Sequence, residues 1–239
     1  SSLFNRRFLK LLIVFSIIDC IFQISLGGFV RVTSSGLGCP DWPLCYGKII
    51  PPMNYHTLIE WGHRTSGAIL GLSILMINLF VIFYERKNKL LLGMSTASLL
   101  LVILVGGIGG AVVLTELEPS LRTLHLFLAQ IIIFTLGISL ISLYIPDGTS
   151  YKDIWMIDKY SIMIGLLAIA IILALLTGSY AVWKGAGTVC SSWPLCTSGS
   201  ILPQSGLGWI HMIHRITSSF AGILGLYAFY LILRNNFGR

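Results

Sequence analysis

Six long apolar runs, separated by shorter polar segments, organise the chain. They occupy residues 8–30, 64–84, 90–114, 122–144, 160–182 and 211–233. Each run has 21 to 25 residues, which is long enough to cross about 30 Å of hydrocarbon as an α-helix. Because lipid offers backbone groups no hydrogen-bond partner, helices are the expected form. The pattern therefore predicts an all-α, multi-pass protein of a cell membrane with six transmembrane helices.

The composition supports a membrane location. Of the 239 residues, 55% are hydrophobic and only 10% are charged, whereas soluble domains carry about 25% charged residues. The net charge of +7 could suggest a nucleic-acid partner. The basic residues lie at helix ends, however, where they orient a chain in the bilayer. We therefore expect the lipid bilayer, and no nucleic acid, as a partner.

The distribution of Lys and Arg predicts the orientation. Segments 1–10, 85–89, 145–159 and 234–239 hold ten of these residues in 36 positions, whereas the intervening polar segments hold six in 75. Basic residues concentrate on the cytoplasmic side of membrane proteins. Both termini are therefore predicted to be cytoplasmic, and the two long loops, which contain paired cysteines, to be extracytoplasmic.

Part of the chain is an internal repeat. The sequence CPDWPLC at 39–45 matches CSSWPLC at 190–196. Further matches in the same register are Pro52 with Pro203, His63-Arg64 with His214-Arg215, and Gly67 with Ser218. Helices five and six are therefore predicted to repeat helices one and two. The repeat is parallel, because both pairs begin and end on the inner side.

The repeat predicts three regions. Residues 1–145 form a complete four-helix half, 146–159 a cytoplasmic linker, and 160–239 the first two helices of a second half. Counterparts of helices three and four would lie beyond Arg239, so we expect a chain that is either truncated or naturally short.

Three histidines, His63, His125 and His214, lie near the outer ends of helices that run inward. Ionisable groups in membrane helices are costly and usually have a function or a partner. A single such histidine could be an interfacial residue that bonds to a loop. His63 and His125, however, lie at matched depth on alternate helices of one bundle and could bind a metal from opposite sides. Haem suits this arrangement, because imidazole is a common axial ligand and helix bundles house cofactors.

In the second half, the repeat aligns His214 with His63 and His211 with Glu60. We therefore expect His214 to be a haem-iron ligand. His211 is expected to support that ligand or to face the loop.

The paired cysteines lie in loops predicted to be outside the cell, where disulfides persist. A disulfide within each pair, Cys39–Cys45 and Cys190–Cys196, is the expected state. A zinc site of four cysteines is an alternative, although the five-residue gap is wider than usual zinc spacing.

Two charged residues flank the first repeated histidine. Glu60, three residues before His63, could steer protons beside a cofactor, or it could be a helix-terminal acid that interacts favourably with the dipole. Arg64, and its equivalent Arg215, could bind a carboxylate such as a haem propionate or extend to the interface. The glycines at 106, 107, 109 and 110 permit close helix packing or close approach of a flat ligand.

Taken together, these residues resemble the haem A synthase family of cytochrome oxidase assembly enzymes. The resemblance rests on GGFVRVTSSGLGCPDWPLC at 27–45 and EWGHR at 60–64. His125, the second cysteine segment at 190–196 and HMIHR at 211–215 extend it over nearly the whole chain.

The resemblance implies oxidation of a methyl group of haem O to a formyl group, giving haem A for terminal oxidases. It implies a catalytic haem site between His63 and His125, with Glu60 as a nearby acid and a disulfide between Cys39 and Cys45. It also implies a haem b site in the second half, where His214 matches the first ligand. Members with two complete halves have eight helices and a fourth ligand on the last one, whereas this sequence ends after six.

The implied partners are the enzyme that supplies haem O, the terminal oxidase during assembly, and an electron donor of unspecified identity; association into a homo-oligomer is a further expectation. The main alternative is a non-catalytic haem-binding or electron-transfer protein similar to cytochrome b. A transporter is a second alternative, disfavoured because the repeat is parallel and the spans are expected to lack broken helices and buried charges.

Overall fold

The computed structural model describes residues 2–145, 159–197, 199–200 and 202–237. Within these ranges it contains six α-helices, which are α1 (Ser2–Val32), α2 (Tyr55–Tyr84), α3 (Lys89–Leu114), α4 (Pro119–Ser142), α5 (Lys159–Trp183) and α6 (Gly206–Phe237). The predicted all-α fold is confirmed. Segments long and apolar enough to cross a membrane occur in five of them, at Asn5–Val32, Tyr55–Tyr84, Lys89–Leu114, Pro119–Ser142 and Ile162–Trp183. The chain is therefore a multi-pass membrane protein.

The chain divides into two compact units, Ser1–Thr149 and Ser150–Arg239. The predicted linker 146–159 lies outside the described residues, apart from Lys159, which begins α5. The functional division of the chain into a complete half and a partial half stays a prediction.

The first unit is a four-helix bundle. The packed pairs are α1 with α2, α2 with α3, α3 with α4, and α4 with α1. This cyclic order places α2 and α4 diagonally across the bundle. Its core is apolar and includes the fully buried side chains Leu9, Ile13, Ile74, Ile77 and Leu136.

Small polar side chains join neighbouring helices inside this bundle. The hydroxyls of Ser16 and Ser73 lie 2.8 Å apart between α1 and α2, and Ser98 donates to Thr135 at 2.8 Å between α3 and α4. Such bonds satisfy polar groups that would otherwise face hydrocarbon.

Helix α2 begins nine residues before the apolar run that predicted it. The residues from 55 to 63 are mostly polar or aromatic, so hydropathy does not assign them to the span. The helix starts there because Asn54 caps it, with its side-chain oxygen accepting from the backbone N–H of Thr57 at 3.0 Å. Glu60 and His63 therefore lie inside the helix and share one side of it.

The second unit contains α5 and α6, which pack against each other. Helix α6 also begins before its apolar run, at Gly206, and His211 and His214 lie within it.

Candidate functional site

His63 and His125 lie on diagonally opposed helices of the first unit. His63 is on α2 and His125 is on α4, the diagonal pair of the bundle. Both side chains are partly buried. The structure thus places the two predicted ligands on facing helices of one bundle.

Each of these imidazoles packs against a glycine on the preceding helix. A Cβ atom added to Gly27 of α1 would lie 3.1 Å from Cε1 of His63, and one added to Gly109 of α3 would lie 3.1 Å from Cε1 of His125. Contacts this short are tighter than most side chains tolerate, so glycine allows each ring to lie directly against the neighbouring backbone. Two such contacts form a cradle for the ligand pair.

The ring nitrogens of the two histidines have different surroundings. Nδ1 of His125 lies 3.0 Å from the carbonyl oxygen of Val105. A histidine that donates Nδ1–H to a carbonyl presents the lone pair of Nε2, which is the usual arrangement of a metal-ligating histidine. Nδ1 of His63 is buried and has no hydrogen-bond partner among the described residues, which is uncommon for a buried polar atom.

These features fit haem better than a bare metal ion. Within the described ranges, no group of three or more His, Cys, Asp or Glu side chains is placed to hold a metal ion, whereas zinc sites take at least three protein ligands. Haem supplies four of the six iron ligands itself and needs only two axial side chains. Two imidazoles on facing helices, each against a glycine, match that requirement.

Glu60 lies one turn before His63 on α2 and is 5% exposed. Its Oε1 atom accepts a hydrogen bond from Nε of Arg64 at 2.8 Å. The carboxylate is therefore held by a charged partner beside the first ligand. This bond engages Oε1.

Arg64 also binds the first cysteine loop, which we define as Cys39–Cys45. Its Nη1 donates to the carbonyls of Asp41 and Leu44, at 2.5 and 2.8 Å, and its Nη2 donates to the carbonyl of Cys39 at 2.9 Å. A planar guanidinium with five N–H groups is suited to such a set of acceptors. One side chain thus joins Glu60, the helix of His63 and the loop.

The first cysteine loop is closed on itself. The Sγ atoms of Cys39 and Cys45 lie at disulfide distance, 1.93 Å. The Asp41 carboxylate accepts from the backbone N–H groups of Gly47 at 2.7 Å and Tyr46 at 2.6 Å. These hydrogen bonds lower the pKa of the Asp41 carboxyl, and the bond from Gly47 has the largest effect. The charged form of Asp41 therefore favours the closed loop.

The second unit repeats most of these contacts. Arg215 donates through Nη1 to the carbonyls of Ser192 and Leu195, at 2.6 and 3.0 Å, and through Nη2 to that of Cys190 at 3.2 Å. The Sγ atoms of Cys190 and Cys196 are 2.20 Å apart. The repeated arginines therefore make the same contacts with their loops.

His214 also repeats its counterpart. A Cβ atom on Gly178 of α5 would lie 2.7 Å from its Cε1, and Gly178 is in register with Gly27. The Glu60 position is occupied by His211, whose Nδ1 accepts from the backbone N–H of Cys190 at 3.4 Å. His211 therefore faces the second loop, and this unit lacks a carboxylate at the position equivalent to Glu60.

We expect intact protein, alkylated without reductant, to be modified at Cys20 at most. Cys20 is the free cysteine and is buried, whereas the other four lie in the two disulfide pairs. Intact-mass spectrometry after iodoacetamide treatment counts the modified thiols. Modification of all five cysteines under these conditions would contradict the pairing.

Sequence reasoning missed a charge inside a membrane helix. Asp19 lies in α1, where its Oδ1 accepts from the hydroxyl of Ser66 at 3.3 Å, and its Oδ2 is buried without a hydrogen-bond partner among the described residues. The expectation that the spans lack buried charges was therefore wrong. An acidic residue in the middle of an apolar run was the available signal.

Gln23 of α1 and Trp42 of the first cysteine loop were also missed. Gln23 donates to the carbonyl of His63 at 2.8 Å, and the indole of Trp42 packs on Gly110 of α3. Both contacts join segments that are distant in the sequence, so no local sequence pattern predicts them.

The fold and the site define a class of protein: a multi-pass helical membrane protein with two histidines on diagonal helices of one bundle and a buried acid one turn from the first of them. The chain belongs to the cytochrome oxidase assembly protein family (COX15-CtaA), whose model matches residues 10–208.

Several relatives are named heme A synthase. The protein from Exiguobacterium sibiricum is 29% identical over 235 residues, covering 96% of this chain and 76% of the relative. That from Symbiobacterium thermophilum is 28% identical over 211 residues, covering 84% of this chain and 67% of the relative. The Bacillus cereus protein is 28% identical over 234 residues, covering 96% and 75%.

Proposed function

We propose that this chain is a haem A synthase, which oxidises the methyl group of haem O to the formyl group of haem A for terminal oxidase assembly. The observation that carries the proposal is the His63–His125 pair on diagonal helices of one bundle, with the buried acid Glu60 one turn from His63 and bonded to Arg64. The family of the chain and the names of its relatives support the same activity.

His63 and His125 would hold the haem of the first unit through their imidazole nitrogens. Val105 would fix the ring of His125 by accepting from Nδ1–H, so that Nε2 points away from the backbone. Gly27 and Gly109 would allow the imidazole rings of His63 and His125 to lie close against the backbones of α1 and α3. Bound haem would supply the iron-centred redox chemistry. In the second unit, His214 would contribute one ligand to a haem b.

Glu60 would act as the acid–base group of the reaction. Converting the methyl group to a formyl group with an oxygen atom from water would break two C–H bonds and release protons and electrons, and an external oxidant would take up the electrons. Positive charge would develop on the carbon beside the porphyrin as each C–H bond breaks. A carboxylate one turn from the ligand is suited to accept such a proton through Oε2. Arg64, bonded to Oε1, would hold the carboxylate in place.

The proposal includes the surroundings of the protein. The termini would be cytoplasmic and the cysteine loops extracytoplasmic, following the distribution of Lys and Arg. The chain would receive haem O from the enzyme that makes it and deliver haem A during oxidase assembly. An electron donor and association with a second copy complete the expected partners.

Pigment analysis tests the activity. Membranes that contain the chain and a supply of haem O should yield haem A on extraction and chromatography, and membranes without the chain should yield haem O alone. If the chain retains haem and the membranes yield no haem A, the function is that of a haem-binding or electron-transfer protein. If the purified chain carries no haem at all, both functions are excluded.

A further inference from the structure

The first cysteine loop reaches from one predicted ligand towards the other. At one end, the carbonyls of Cys39, Asp41 and Leu44 accept from Arg64, the residue directly after His63. Both sulfur atoms belong to buried residues, with Cys39 fully buried and Cys45 2% exposed. The loop is therefore seated against α2 close to the first ligand.

At its other end, the loop contacts α3 through Trp42. A Cβ atom added to Gly110 would lie 2.7 Å from Cδ2 of the indole, so the aromatic ring rests directly on the helix backbone. The neighbouring residue, Gly109, is the glycine against which His125 packs. The contact of Trp42 is thus one residue away from the cradle of the second ligand.

We propose that the first cysteine loop is a strap across the loop end of the His63–His125 site, and that Trp42 is the positioning residue that keeps it closed. Arg64 fixes the strap beside one ligand and Trp42 fixes it beside the other. The strap would limit access of reagents to the ligand pair and hold Arg64, and through it Glu60, in place. This inference rests on the proposed function only for the identity of the group beneath the strap.

The second cysteine loop provides a comparison within the same chain. Arg215 holds it through the same carbonyl contacts as Arg64. Trp193, the equivalent of Trp42, is 81% exposed, however, whereas Trp42 is 44% exposed. The arginine contact therefore occurs in both loops, and the seated tryptophan distinguishes the first.

The test measures how fast each disulfide is reduced in the purified full-length protein. Samples are treated with a water-soluble phosphine for increasing times, alkylated, and digested, and the two cysteine pairs are quantified by peptide mass. The variants are Trp42→Ala, Trp42→Phe and the matched control Trp193→Ala. A second pair acts from the helix side: Gly110→Ala, which places a methyl group against the indole, and Gly107→Ala, where a Cβ meets nothing within 4 Å.

Trp42→Ala should raise the reduction rate of Cys39–Cys45 roughly tenfold, equivalent to about 1.4 kcal/mol between closed and open strap, and leave that of Cys190–Cys196 unchanged. Gly110→Ala should also raise the reduction rate of Cys39–Cys45. Trp42→Phe, which keeps an aromatic ring, should give a rate close to that of the wild-type protein. Trp193→Ala and Gly107→Ala should leave the reduction rate of Cys39–Cys45 unchanged. In samples that carry haem, the rate of imidazole binding, followed by the Soret band, should rise with Trp42→Ala.

Equal reduction of Cys39–Cys45 in wild-type protein and Trp42→Ala would overturn the proposal. An equal increase for both disulfides would also overturn it, because it would indicate general loss of structure rather than release of one strap. Protein purified without haem would instead count against the proposed function, and the reduction rates would still decide the role of Trp42.

Discussion

Replacing Glu60 with Gln should leave bound haem in place and slow haem A formation about 10²–10⁴-fold, the usual contribution of a positioned acid–base group. Glutamine keeps the volume of the side chain, and its amide oxygen can still accept from Nε of Arg64. It cannot take up a proton at neutral pH. The measurement is the ratio of haem A to haem O and to any partly oxidised intermediate in membranes of the variant.

The alternative role of Glu60, as a helix-terminal acid, predicts a different result. Interactions with the helix dipole are confined to the first turn and are worth about 0.3–1 kcal/mol. The first turn of α2 contains no acidic residue, and Glu60 lies beyond it. Glu118 is a suitable control, because it occupies the N-cap position of α4 without a side-chain cap bond. Glu118→Gln should form haem A normally. Full haem A output from Glu60→Gln would return Glu60 to a structural role.

Replacing either His63 or His125 with Ala should abolish haem A formation and remove the haem of the first unit. On the proposed function, each substitution would remove one of the two imidazoles that hold the haem, and the other histidine alone would not supply the missing bond. Pigment extraction and the haem-to-protein ratio measure the two effects.

His211→Ala is the matched control for these variants. His211 is also a histidine near the start of a long helix, α6, but it contacts the backbone of Cys190. This variant should retain haem A formation. Normal haem A output from His63→Ala would show that the ligand pair has been misassigned.

The helices were predictable because apolar length is a direct requirement of the membrane. The early start of α2 was not, because residues 55–63 are too polar to extend an apolar run. Their helical state depends on the Asn54 cap. This difference matters for the site, since it fixes Glu60 and His63 on one side of a continuous helix.

The positions of His63 and His125 on two helices of one bundle were predictable from the sequence, and their role as haem ligands stays a prediction. The cysteine pairs were predictable from the internal repeat. The cradle was predictable only in part. The glycines of α3 stood out in the sequence, but which of them meets His125 and which meets Trp42 depends on the packing of helices distant along the chain. Asp19 could have been found from its position alone, since a carboxylate within an apolar run is unusual.

The most direct test of the central claim, that His63 and His125 together hold a haem, is the EPR spectrum of the purified, oxidised His214→Ala variant. Removing His214 eliminates the ligand proposed for the second unit and leaves the facing pair intact. The account predicts a low-spin ferric haem signal typical of two histidine ligands, lost again when His63→Ala is added. A His214→Ala protein that carries no haem, or only high-spin haem, would contradict it.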